Sequence, residues 1–146
     1  MHISQLLRTG EEWIMSYTVD EYRREVSDKK ILVVGMGRSG MAAVKELHAL
    51  GSTVTAQDIN TVEKIDPKFI TFLDREGIEY YFGSTPEHMV SFDIVVLSPG
   101  VNPNLTFLND GRNHGVEVIG ELEMAYRLSY GKFVAITGTN GKTTTT

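Results

Sequence analysis

The chain has 146 residues, 41% of them hydrophobic, with a formal net charge of −5 and no cysteine. That length supports one domain with a real core and leaves little room for two. The acidic balance without a long basic cluster disfavours nucleic acid and anionic membranes as main partners, and the lack of cysteine removes disulfides and thiolate metal sites, in keeping with a cytoplasmic protein. No apolar run of membrane-spanning length and no signal-peptide pattern is present, so neither a transmembrane nor a secreted protein is expected.

Residues 1–29 mix charges with scattered apolar residues such as Trp13, Ile14, Tyr17 and Tyr22, and read as an irregular or partly helical extension. The organising stretch follows. Ile31-Leu32-Val33-Val34 is an unbroken apolar run suited to a parallel strand buried on both faces, and it leads directly into Gly35-Met36-Gly37-Arg38-Ser39-Gly40. Glycines at these spacings let the backbone turn tightly and approach a diphosphate, while a helix over Ser39 to Leu50 would aim its free N–H groups and positive dipole end at that anion. Thr53 to Gln57 reads as a second strand, and Asp58 at its end stands 18 residues beyond Gly40, where a ribose- or base-binding carboxylate is expected.

Asn60 to Asp66 reads as a loop, and Pro67 opens a short helix that closes at Gly77. Ile78 to Phe82 is a third strand, a brief helix is expected from Thr85 or Pro86 to Val90, and Asp93 to Leu97 is a fourth strand ending in the rigid turn Ser98-Pro99-Gly100-Val101-Asn102-Pro103. Leu105 to His114 reads as helix, Val116 to Ile119 as the fifth strand, and Gly120-Glu121 begins a helix running to about Tyr130. Strands alternating with helices define an α/β, Rossmann-like, doubly wound five-stranded parallel sheet over residues 30–131, and right-handed crossovers give the order 3-2-1-4-5. The sheet then reverses direction between strands 1 and 4, so their following turns face each other across a crevice where ligand should bind. Asp58, Ile59 and Asn60 complete its nucleoside side. His2, His48, His88 and His114 sit apart and read as surface or packing residues.

Lys132 to Thr137 is a sixth strand-like run, followed by Gly138-Thr139-Asn140-Gly141-Lys142-Thr143. This resembles a phosphate-binding P-loop, although Ile136 stands where the first glycine of GxxxxGK[ST] would be. Its N–H groups would cradle phosphates, Lys142 would reach the β- and γ-phosphate oxygens, and the Thr143 hydroxyl would ligate magnesium. Only Thr144, Thr145 and Thr146 follow, too few for the helix such a loop needs. The chain therefore reads as the N-terminal part of a longer protein, with residues 132–146 beginning a second, ATP-binding domain and able to mediate self-association through unpaired strand edges. On residues alone, a nicotinamide-dependent oxidoreductase domain and a non-catalytic nucleotide-sensing domain both stay open.

Val33-Val34-Gly35-Met36-Gly37-Arg38-Ser39-Gly40, Leu97-Ser98-Pro99-Gly100-Val101, Val118 to Glu123 and Ala135 to Thr143 together resemble the Mur ligases of bacterial peptidoglycan synthesis, in register and in order. The likeness is strongest to the branch that adds D-glutamate to UDP-N-acetylmuramoyl-L-alanine. The resemblance implies a three-domain cytoplasmic enzyme in which the first domain holds the UDP of the substrate, the central domain binds ATP and Mg2+, and the substrate carboxylate is activated as an acyl phosphate before the amine of D-glutamate attacks. The family's P-loop also lacks the first glycine. By the same resemblance, the backbone N–H groups of Arg38 and Ser39 would contact the diphosphate beside Gly35, Gly37 and Gly40. Asp58 would accept from the uracil, Ile59 and Asn60 would border it, and Gly100 would approach from the opposite wall. Asn60 stands where the family has an arginine, which leaves stacking on the base unsupported. Gly138, Thr139, Asn140, Gly141, Lys142, Thr143 and Thr144 would serve ATP, Lys142 and Thr143 catalytically, with Thr143 on the metal.

Overall fold

The computed structural model describes residues 18–130 together with the backbone of two short strands, β1 (Leu6–Thr9) and β2 (Glu12–Met15). The strand and phosphate-loop motif expected over residues 132–146 lie outside the described residues. β1 and β2 pair antiparallel, Leu6 opposite Met15, and α1 (Val19–Ser27) follows. Strands were not expected there: four-residue strands are too short for their periodicity to show, and their pairing depends on a partner that local pattern does not reveal. The start of α1 is set by a capping box, in which Glu21 N–H donates to Thr18 Oγ1 at 3.2 Å and Thr18 N–H to Glu21 Oε2 at 2.9 Å.

The chain then alternates β3 (Lys30–Val34), α2 (Arg38–Ala49), β4 (Thr53–Asp58), α3 (Pro67–Glu76), β5 (Glu79–Phe82), β6 (Ile94–Leu97), α4 (Thr106–Asn113), β7 (Glu117–Gly120) and α5 (Glu121–Leu128). The five strands β5-β4-β3-β6-β7 form one parallel sheet, which is the expected order, with Ile31 of β3 level with Val54 of β4 and Ile94 of β6. The expected helix over 85–90 does not form. Residues 83–88 run as an irregular strap, and only a single 3-10 turn, Met89–Ser91, follows, since so short a segment cannot repay helix nucleation.

Strand periodicity splits the apolar residues into two cores. Ile31, Val33, Val54, Ala56, Ile94 and Val96 face α2, α3, α5 and also α1, whose Tyr22 and Val26 are buried in the same cluster. Leu32, Val34, Val95 and Leu97 face the other way, onto α4 through Leu108 and onto the turn through Met89 and Phe92. α1 is thus part of the packed unit, tied also by Arg23 Nη1 donating to the Leu128 carbonyl at 2.9 Å. On the α4 face of β4 the inward residues are polar: Thr55 and Gln57 are both buried, and the Gln57 amide donates to the Ser84 carbonyl at 2.8 Å, drawing the strap across this part of the sheet. Among the described residues no helix is long and apolar enough to cross a membrane.

Candidate functional site

At the carboxyl end of β3 the turn is held from both neighbouring strands. Gly35 N–H donates to the Gln57 carbonyl of β4 at 2.8 Å, while Ser98 at the end of β6 donates its N–H to the Val34 carbonyl at 3.0 Å and its hydroxyl to the Gly35 carbonyl at 2.8 Å. Gly35 has φ +94°, and a Cβ there would lie 2.8 Å from Val101 Cγ2. At Gly40 a Cβ would stand 1.8 Å from the Gly35 carbonyl oxygen, so the first turn of α2 is packed on the loop by the absence of a side chain. Gly37 differs. A Cβ there would meet nothing within 4 Å, no side chain caps α2, and Arg38 and Ser39 are exposed at its first turn, so the N-terminal N–H groups of the helix face outward.

Asp58 is buried and spans the two loops. Its Oδ2 accepts from Met36 N–H at 2.6 Å and its Oδ1 from Asn60 N–H at 2.8 Å. The carboxylate therefore anchors the glycine turn to the end of β4 besides standing in the wall of the crevice. Between the turns after β3 and β6 opens a crevice of about 820 Å³, lined by Gly35, Asp58, Ile59 and Gly100 of the residues expected from sequence. Ile59 is 85% exposed at its mouth, an uncommon position for a large apolar side chain. Gly37, Arg38, Ser39, Gly40 and Asn60 do not line it. Gly37 is the N-cap of α2 and Arg38, Ser39 and Gly40 its first turn, and Asn60 is exposed beyond the Asp58 contact.

Several lining residues were not expected: Gln57 from β4, Pro86 of the strap, Met89, and Phe107 of α4. A polar residue near the carboxyl end of an otherwise buried parallel strand was a readable signal for Gln57; nothing local pointed to the strap, because it reaches the site by folding back from β5. Gly138, Thr139, Asn140, Gly141, Lys142, Thr143 and Thr144 lie outside the described residues.

A doubly wound parallel sheet whose glycine turn and crevice lie at the point where strand order reverses defines a domain of the Rossmann-like class. Residues 29–120 match the family described as Mur ligase MurD-like, N-terminal domain, and the chain belongs to that family. Among similar proteins is the UDP-N-acetylmuramoylalanine--D-glutamate ligase of Alkaliphilus metalliredigens (strain QYMF), 42% identical over 125 residues that cover 84% of this chain and 27% of that protein. The protein of the same name from Clostridioides difficile (strain 630) is 39% identical over 123 residues, with 84% and 27% covered. A solved structure, a pseudomurein peptide ligase type C from Methanothermus fervidus, aligns with TM-score 0.58 and 29% identity over 81% of this chain and 24% of that one. The chain thus spans about a quarter of the length of the relatives it matches.

Proposed function

We propose that this chain is the UDP-binding N-terminal part of an ATP-dependent ligase that joins D-glutamate to UDP-N-acetylmuramoyl-L-alanine through an acyl phosphate, in peptidoglycan synthesis in the cytoplasm. The observation that carries this reading is the crevice between the turns after β3 and β6, bounded by Gly35, Asp58 and Gly100, with the uncapped N-terminus of α2 beginning two residues beyond Gly35. The diphosphate would leave the crevice past Gly35 and take the N–H groups of Arg38 and Ser39 at the first turn of α2, where Gly37 offers no side chain to obstruct approach. The nucleoside would lie toward Asp58, Ile59 and Asn60. The relatives' shared name supports the choice of substrates. By motif chemistry, ATP would be held by Gly138 to Thr144, with Lys142 on its phosphates and Thr143 on Mg2+.

The test is a comparison of UDP with NADH, followed by amide shifts in NMR spectra. UDP should move the resonances of Gly35 to Gly40, Asp58 to Asn60 and Gly100, and NADH should leave them in place. Saturable binding of NADH with no response to UDP would assign the crevice to a dinucleotide instead.

A further inference from the structure

The contacts of α1 converge on the point where the chain leaves α5. α1 is fixed in the core by Tyr22 and Val26, 4% and 0% exposed, and the Val26 carbonyl accepts from the Ser52 hydroxyl at 2.8 Å. From there Arg23 Nη1 donates to the Leu128 carbonyl at 2.9 Å. That bond satisfies one of the carbonyls a last helical turn leaves open and places a cation at the negative end of α5. The Arg23 guanidinium also lies over the Tyr130 ring, 5.4 Å from its centroid, and the Tyr130 hydroxyl donates to Asp20 Oδ1. The chain has already left the helix here, with Ser129 extended at φ −92° and ψ 139°. Tyr130 is 69% exposed and belongs to neither core, so its placement is set by these contacts with α1.

We propose that Asp20 and Arg23 are positioning residues: by pinning Tyr130 they set the direction in which the chain passes from this domain into the next, and so the place of ATP relative to the substrate in the crevice. This rests on the reading of residues 132–146 as the start of an ATP-binding domain. On that reading the substrate carboxylate and the γ-phosphate are carried by different domains, and Ser129–Tyr130 is the covalent link between them. For the carboxylate oxygen to attack the γ-phosphorus as ADP leaves, the two must meet in line at about 3.5 Å. Two soft backbone dihedrals per residue in an unheld link would turn small rotations into displacements of several ångströms at the phosphates. Neither Asp20 nor Arg23 lines the crevice, so they act on the reaction through Tyr130 and not on the nucleotide.

The experiment compares Arg23→Ala, Arg23→Lys and Tyr130→Phe in the full-length ligase and in the 146-residue chain. In the full-length protein Arg23→Ala should lower kcat roughly tenfold, within the range that small misplacement of reacting groups produces, and leave KM for the UDP substrate unchanged. Tyr130→Phe, which loses only the bond to Asp20, should show a smaller fall. Arg23→Lys keeps a donor for the Leu128 carbonyl and a cation over the ring, and should recover most of the loss. In the 146-residue chain Arg23→Ala should leave UDP affinity unchanged while amide exchange at Tyr130 becomes about tenfold faster. A contact that only caps α5 would lower the melting temperature and leave kcat as it was. That result would overturn the proposal, as would a loss confined to KM or exchange at Tyr130 that ignores Arg23→Ala. An unaltered full-length protein without D-glutamate ligase activity would remove the reading of the whole enzyme, and this role with it.

Discussion

The hydroxyl of Ser98 donates to the carbonyl of Gly35 at 2.8 Å, joining the turn after β6 to the turn after β3 across the point where the sheet changes direction. The two walls of the crevice are thereby one hydrogen-bonded unit. Ser98→Ala removes the donor from a buried site and should lower stability by about 1 kcal/mol in urea unfolding. It should also weaken UDP several-fold, because the Gly35 wall can then shift relative to Gly100. Unchanged UDP affinity in a variant of lowered stability would show that the two walls need not be tied for binding.

Two glycines of the turn, Gly40 and Gly37, are predicted to respond differently to alanine. At Gly40 a methyl group would meet the Gly35 carbonyl oxygen at 1.8 Å, so Gly40→Ala should cost about 3 kcal/mol and show as a lower melting temperature. At Gly37 the backbone is at φ −70° and a methyl group meets nothing, so Gly37→Ala should fold normally. Its effect should appear only with ligand, as weaker UDP binding from obstructed approach to the α2 N-terminus. A Gly37→Ala chain that binds UDP like the parent would place the diphosphate elsewhere.

Asp58→Ala should act on both fold and ligand. Loss of the carboxylate strands the N–H of the buried Met36 and frees that of Asn60, at a cost of about 2 kcal/mol measured by chemical denaturation. Because Met36 lies inside the phosphate-facing turn, affinity for inorganic pyrophosphate should fall together with affinity for UDP. Selective loss of UDP, with pyrophosphate binding and stability intact, would show that Asp58 touches only the base.

Alkaline pH should destabilise the domain through Tyr22. Burial pushes its phenol above the ordinary value of 10, with the Arg127 guanidinium nearby opposing the shift. The folded state therefore keeps a proton that the unfolded chain releases above about pH 10, and the associated stability is full below that pH and lost as pH rises through the folded value. Urea unfolding from pH 8 to 11 should show this decline, and Tyr22→Phe should flatten it. An unchanged slope in Tyr22→Phe would move the effect to other groups, among them Tyr130, whose phenol is raised by its hydrogen bond to Asp20.

The parts of the fold with local causes were legible along the chain. The unbroken apolar run before Gly35, the glycine spacing, Pro67 at a helix start and the alternation of strands with helices each encode a backbone preference that neighbours only reinforce, so the sheet order and the position of the crevice could be read from them. Which side chains meet at the crevice was not legible there, because it depends on packing between distant segments. Asp58 looked like a ligand group, and the fold shows it holding the glycine turn through Met36; Ser98 looked like one residue of a stiff turn, and the fold makes it the link to Gly35. Gln57 and the 83–88 strap reached the site through the Ser84 carbonyl, and the residues before β3 joined the core through Tyr22 and Val26. Those contacts unite segments distant in sequence, and which polar group finds which partner is settled by packing between elements rather than by the pattern within any one of them.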